Sequence, residues 1–131
     1  MTEIMMQLGS FQFGINTAAY QSLKRSTDYS WQSQDRAGQG AALQFTGPGA
    51  DTITLDGVVY PQYRAGIGQI DRLRALASLG EPQQMVDGRG NLLGEWVIEN
   101  VSEDQSAFMK GGIPRKQDFG MKLRRYHDAD L

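Results

Sequence analysis

Four carboxylates fall close together in the second half of the chain, at Glu95, Glu99, Glu103 and Asp104. Glycoside hydrolysis needs a pair of acids flanking the scissile bond, with carboxyl groups roughly 5–9.5 Å apart. The alternation around these residues reads as a strand, and a strand sets Glu95 and Glu99 on one face about 13 Å apart. That is too wide for either mechanism, so the acids read as solvated strand charges. His127 is the only histidine, which excludes a two-histidine metal site within one chain. The absence of cysteine excludes thiolate nucleophiles, thiolate metal sites and disulfides. Gly47-Pro48-Gly49, Gly66-Ile67-Gly68 and Gly88-Arg89-Gly90 read as turns, because none continues as GxGxxG or ends in Gly-Lys-Ser/Thr. Lys122, Arg124, Arg125 and Tyr126 form a basic cluster, but strand alternation turns Arg125 away from Lys122 and Arg124. A subunit contact or a solvated edge suits them better than a nucleic-acid site. The residues thus spell a non-enzyme, with no catalytic, cofactor-binding or metal-binding position.

The whole chain agrees with this. Its 131 residues, 40% hydrophobic and 21% charged, suit one domain over 1–131 with a core that needs no metal or disulfide. A net charge of −2 supplies no global field toward nucleic acid or anionic lipid, and neither is expected as a partner. Met1 to Leu8 carries no Lys or Arg, and no stretch reaches the roughly 20 apolar residues of a membrane span. The expectation is a protein neither exported by a signal peptide nor embedded in a membrane. Sixteen glycines lie between short apolar segments, which indicates many turns and a β-rich architecture.

The elements follow from periodicity. Met6 and Leu8, then Phe11, Phe13 and Ile15, predict a hairpin turning at Gly9-Ser10. Ser22 to Ala42 is polar, with Leu23, Tyr29 and Trp31 as its only anchors. It reads either as edge strands with Trp31 tucked onto the core or as an arm that orders against a partner, with Tyr29, Trp31 and Arg36 of types common at interface hot spots. Thr52-Ile53-Thr54-Leu55 and Val58-Val59-Tyr60 form a β block, with Asp56-Gly57 as a bulge or tight turn. Ile67, Ile70, Leu73, Leu76 and Ala77 recur at helical spacing, and Gly80 with Pro82 stops the helix. Leu92 to Val101 and the run Phe119, Met121, Leu123 form a long hairpin whose tip spans 105–116. Phe108, Met109 and Ile113 at that tip read either as exposed contacts or as residues packed under a neighbouring loop. The expected class is α+β, a mainly antiparallel sheet with one principal helix packed on it.

The order of several motifs resembles the GpU family of tail proteins from contractile phages and the ripcord component of R-type pyocins. The likeness runs through Met6-Gln7-Leu8-Gly9-Ser10-Phe11-Gln12-Phe13, Thr17-Ala18-Ala19-Tyr20-Gln21-Ser22-Leu23, Gln44-Phe45-Thr46-Gly47-Pro48-Gly49 and Asp51-Thr52-Ile53-Thr54-Leu55-Asp56-Gly57. It continues through Tyr60-Pro61, Asp87-Gly88-Arg89-Gly90, Gly94-Glu95-Trp96-Val97-Ile98-Glu99 and Phe119-Gly120-Met121-Lys122-Leu123-Arg124-Arg125-Tyr126. The resemblance implies a small α+β structural protein without cofactor, at the baseplate-proximal end of a virion tail or tailocin, made and assembled in the bacterial host cytoplasm. It implies tube, hub or spike, LysM-type glue, sheath or baseplate subunits as partners, and self-association in a six-fold assembly. Tail-tube or tail-terminator subunit is the rival position, and a tail-associated hydrolase the rival class. Where the family often carries basic residues, this chain has Gly38-Gln39-Gly40-Ala41-Ala42, which argues against charge-based docking there. Interface candidates are Tyr29, Trp31, Arg36, Phe108, Met109, Ile113 and Arg124.

Overall fold

The alternation of apolar and polar residues that dominates the sequence becomes one antiparallel sheet. The computed structural model describes residues 4–14, 18–61, 68–112 and 114–127; Ile15, Ile67 and Ile113 lie outside them. The elements are β1 (Ile4–Leu8), β2 (Phe11–Gly14), β3 (Ala19–Arg36), β4 (Gln39–Val59), α1 (Gln69–Ser78), β5 (Gln83–Asp87), β6 (Leu92–Ser106) and β7 (Lys116–Arg125). The strands form one seven-stranded sheet in the order β2-β1-β5-β6-β7-β4-β3. The fold is α+β, mostly antiparallel sheet with one short helix among the described residues.

Period two decides what is buried. Ile53, Leu55 and Val59 of β4, Phe119, Met121 and Leu123 of β7, and Met6, Leu8, Phe11 and Phe13 of the first hairpin all point to one side. That hairpin turns at Gly9, whose φ of 58° is the left-handed conformation the turn needs. Helix α1 closes the core with Ile70, Leu73 and Leu76, the 3.6-residue stripe, and ends where Gly80 donates its N–H to the Ala77 carbonyl at 3.2 Å. The two outer strands of the sheet approach each other: the Phe13 and Tyr20 rings lie 6.0 Å apart, and the Tyr20 hydroxyl donates to the Met5 carbonyl at 3.4 Å. The sheet therefore curls around its core.

Three local expectations change. Gly47-Pro48-Gly49 is not a turn, because β4 runs through it from Gln39 to Val59. Irregular register at Thr27/Tyr29, Ser30/Trp31 and Gln34/Arg36 leaves an extra residue in β4 each time, and these bulges absorb the glycines and proline without ending the strand. Asp56-Gly57 is likewise within the strand, opposite a bulge in β3 between Tyr20 and Ser22. Glu103 is no solvated charge: its side chain is 8% exposed. A register shift between Ile98 and Asn100 breaks the alternation of β6 and turns Glu103 to the core side, opposite Phe119.

Candidate assembly interface

The β3–β4 hairpin outruns the sheet that supports it. β7 pairs with β4 only from Thr52 to Val59, so among the described residues β3 from Thr27 and β4 up to Asp51 have only each other as strand partners. Ten residues of β3 make an arm of roughly 30 Å. Its end is the Ala37-Gly38 turn between Arg36 and Gln39. Ser22 to Ser26 lie within the body, while the arm extends through β4 beyond Ala42, so its extent differs from the polar 22–42 stretch.

The arm has two unlike sides. From Ser22 to Arg36 the extra residues of the register shifts fall in β4, so Leu23, Arg25, Thr27, Tyr29, Trp31 and Ser33 share one side. That is the core side, since Leu23 stands opposite Leu55 and Arg25 opposite Ile53. Trp31 faces Phe45 and Ser33 faces Leu43. The Trp31 and Phe45 rings lie 5.0 Å apart and the Tyr29 and Phe45 rings 6.5 Å apart. The cluster is bare, with Trp31 58% and Leu43 67% exposed. Trp31 is therefore not tucked onto the core.

A polar clamp fixes the arm where it leaves the body. Arg25 donates two hydrogen bonds to Asp51, from Nε to Oδ1 at 3.1 Å and from Nη2 to Oδ2 at 2.7 Å, and the Thr27 hydroxyl adds a third at 3.1 Å. The paired guanidinium, with the Thr27 hydroxyl, holds the Asp51 carboxyl below its usual range against the opposing effect of burial. Arg25 also stands 5.5 Å from the centre of the Trp96 ring and Arg125 5.9 Å from it, within cation–π range. Trp96 itself is fully buried and donates its indole N–H to the Leu93 carbonyl at 3.0 Å.

The remaining candidates lie elsewhere. Phe108 is exposed on the 107–115 tip of the β6–β7 hairpin, whereas Met109 is half-buried. The row Ala19, Val58, Asp118 and Asp104 runs near that tip, and the row Ser26, Thr52, Arg124 and Val97 runs beside the arm. Tip and arm thus leave opposite ends of the sheet, and the structure does not bring Phe108 together with Tyr29 and Trp31. Arg124 stands at the arm end on the polar side, 3.3 Å from Glu99. Arg36 closes the arm opposite Gln39. Phe45, Leu43 and the Arg25–Asp51 pair were not among the sequence candidates; pairing the chain about Gly38 would have brought Phe45 opposite Trp31.

One member of the acidic run ties the body together. Glu103 accepts hydrogen bonds from Arg74 at 2.6 Å, Gln105 at 2.9 Å and Gln117 at 2.6 Å. Burial alone would raise its pKa, yet these donors hold it below the ordinary value. It pins α1 to β6 and β7. No group of three or more metal-ligating side chains occurs among the described residues, and none of the described helices is long and apolar enough to cross a membrane.

Residues 9–128 match the family described as Phage P2 GpU. The chain belongs to this family of phage tail proteins. As a GpU-family member it is a structural tail component. It is 34% identical over 125 residues to a protein of Halomonas phage phiHAP-1 described as a probable tape measure protein, covering 94% of this chain and 14% of that relative's length. Its fold is that of the Dit protein of phage SPP1, with a TM-score of 0.66 at 12% identity over 93% of this chain and 49% of that one. It also matches a chain of a gene transfer agent tail of C6 symmetry, with a TM-score of 0.59 at 14% identity, covering 96% of this chain and 92% of that one. The tube-terminating cap of the anti-feeding prophage has a TM-score of 0.52 at 13% identity, over 94% of this chain and 85% of that one.

Proposed function

We propose that this GpU-family chain is a non-enzymatic subunit at the baseplate-proximal end of a contractile tail or tailocin. Copies surround the tube or hub in a six-fold assembly and join it to baseplate and sheath. The observation that carries this reading is the arm: a clamped two-stranded ribbon whose core-side aromatic face has no cover. Large exposed apolar patches on a folded chain serve association. Two of the four clustered acids are tied into ion pairs, Glu103 with Arg74 and Glu99 with Arg124, which supports the non-enzymatic reading. The C6 symmetry of the gene transfer agent tail supports the copy number proposed here.

Trp31→Ala combined with Phe108→Ala tests the role of the two projecting ends. The variant should remain a folded, soluble chain that fails to enter tails, and normal tail assembly by it would overturn the interface assignment. Cryo-electron microscopy then reads position directly. Six copies beside the baseplate agree with the proposal, whereas copies along the whole tail or a layer at its far end make the chain a tube or terminator subunit.

A further inference from the structure

We propose that copies of this chain join side by side, the free edge of β3 in one pairing antiparallel with the free edge of β6 in the next. This rests on the reading above that the chain assembles with itself, and it names the joint. Two open edges stand at the same height in the sheet. Among the described residues no strand is hydrogen-bonded beyond β3, and its start at Tyr20 approaches the first hairpin. β6 pairs with β5 only through Leu92–Trp96, so Val97–Ser106 has no strand partner on that side among the described residues. Paired residues run straight across the four strands between these edges: Leu23, Leu55, Met121 and Val101 make one row, and Lys24, Thr54, Lys122 and Asn100 the next.

Direction and length agree. The three antiparallel steps from β3 to β6 leave those strands running oppositely, so copies set in one orientation meet edge to edge as an antiparallel pair. Pairing must stop at the row of Ser26 and Val97, because β5 occupies the edge from Trp96 onward. At that same row β7 stops supporting β4 and the arm begins.

Side chains and charge fit as well. Leu23 is 42% exposed at the end of an apolar row whose other end, Val101, borders a cleft of about 370 Å³ between α1 and β6. The cleft is lined by Ala77 and Ser78 of the helix and by Ile98 and Val101 of the strand, and joining two copies seats Leu23 of one in the cleft of the other. Residues 19–27 carry Lys24 and Arg25 and no carboxylate, while residues 97–106 carry Glu99, Glu103 and Asp104 and no cation. Arg25, Glu103 and Glu99 are engaged within their own copy, which leaves Lys24 as the unpaired cation of one edge and Asp104 as the unpaired carboxylate of the other, with Glu99 next to the residue opposite Lys24. Two different patches meeting head to tail generate a closed ring when the rotation closes.

The chain has no cysteine, so introduced pairs report cleanly. Lys24→Cys with Asn100→Cys, and Ser22→Cys with Ser102→Cys, are expressed in tail-producing cells lacking the wild-type chain, and isolated tails are oxidised. Directly opposed strand residues lie within disulfide reach. Each double variant should give a ladder of covalent multimers on a non-reducing gel, and each single variant none. Double variants that enter tails yet stay single chains overturn the joint while leaving the tail role intact; a wild-type chain absent from tails overturns both. Leu23→Asp guards against a pair that fails to assemble: it should keep the wild-type melting curve and enter tails about tenfold less. Entry of Leu23→Asp at the wild-type level overturns the joint.

Discussion

The β3–β4 hairpin has two halves built alike and housed differently. From Ala19 to Ser26 and Thr52 to Val59, its core side carries Ile53, Leu55 and Val59, all closed over by the helix and the first hairpin. Beyond Thr27 and Asp51 the alternation continues, and the same side carries Tyr29, Trp31, Phe45 and Leu43, all of them exposed. Alternation makes both halves strand. Cover decides whether an apolar side chain holds the fold or awaits a partner.

The largest test sets two tryptophans against each other. Trp96→Ala, in the covered body, should cost about 3–5 kcal/mol in denaturant unfolding. Trp31→Ala, on the arm, should cost no more than about 0.5 kcal/mol. Equal losses would erase the distinction between the halves. Two glycines sharpen it next. A Cβ at Gly57 would collide with the Ala19 carbonyl and lie 2.7 Å from the Phe119 ring, so Gly57→Ala should cost about 1–3 kcal/mol. A Cβ at Gly40 on the arm meets nothing within 4 Å, so Gly40→Ala should leave the melting temperature unchanged or slightly raised.

The smallest effect belongs to the clamp between the halves. The folded pKa of Asp51 is depressed, so its contribution is present above the unfolded value of about 3.9 and is lost as pH falls through the folded one. Wild type should therefore exceed Asp51→Asn in thermal stability at neutral pH, and the gap should close in acid below about pH 4. A gap that does not narrow at all as pH falls below about 4 would assign the loss to packing. Glu103 has the same sign, so Glu103→Gln measured alongside separates the two carboxylates.

Local patterns that carry their own punctuation were legible in the sequence. The helix was readable from Ile70, Leu73 and Leu76 with Gly80 behind them, and the last strand from Phe119, Met121 and Leu123. Gly47-Pro48-Gly49 misled, because its composition is that of a turn and only the partner strand reveals that bulges accommodate it. Glu103 misled for a related reason: a single register shift reverses the sidedness of everything after it. The motif order identified the family, but not which half of the long hairpin is covered. That depends on where β7 stops, seventy-three residues or more from the arm it leaves bare.

The three extra residues in β4, with Pro48 paired beside the first of them, bear on how the arm avoids stray pairing. A bare ribbon with open edges is a template for indiscriminate stacking into fibres. Here the longest unbroken ladder along the arm is Trp31 to Gln34 against Ala42 to Phe45, and Pro48 has no N–H to offer a stray strand. The aromatic face remains exposed while the β4 edge of the arm presents no long, flat run. The bulges of β4 thus keep the arm from offering a stray strand more than four consecutive pairs on that side.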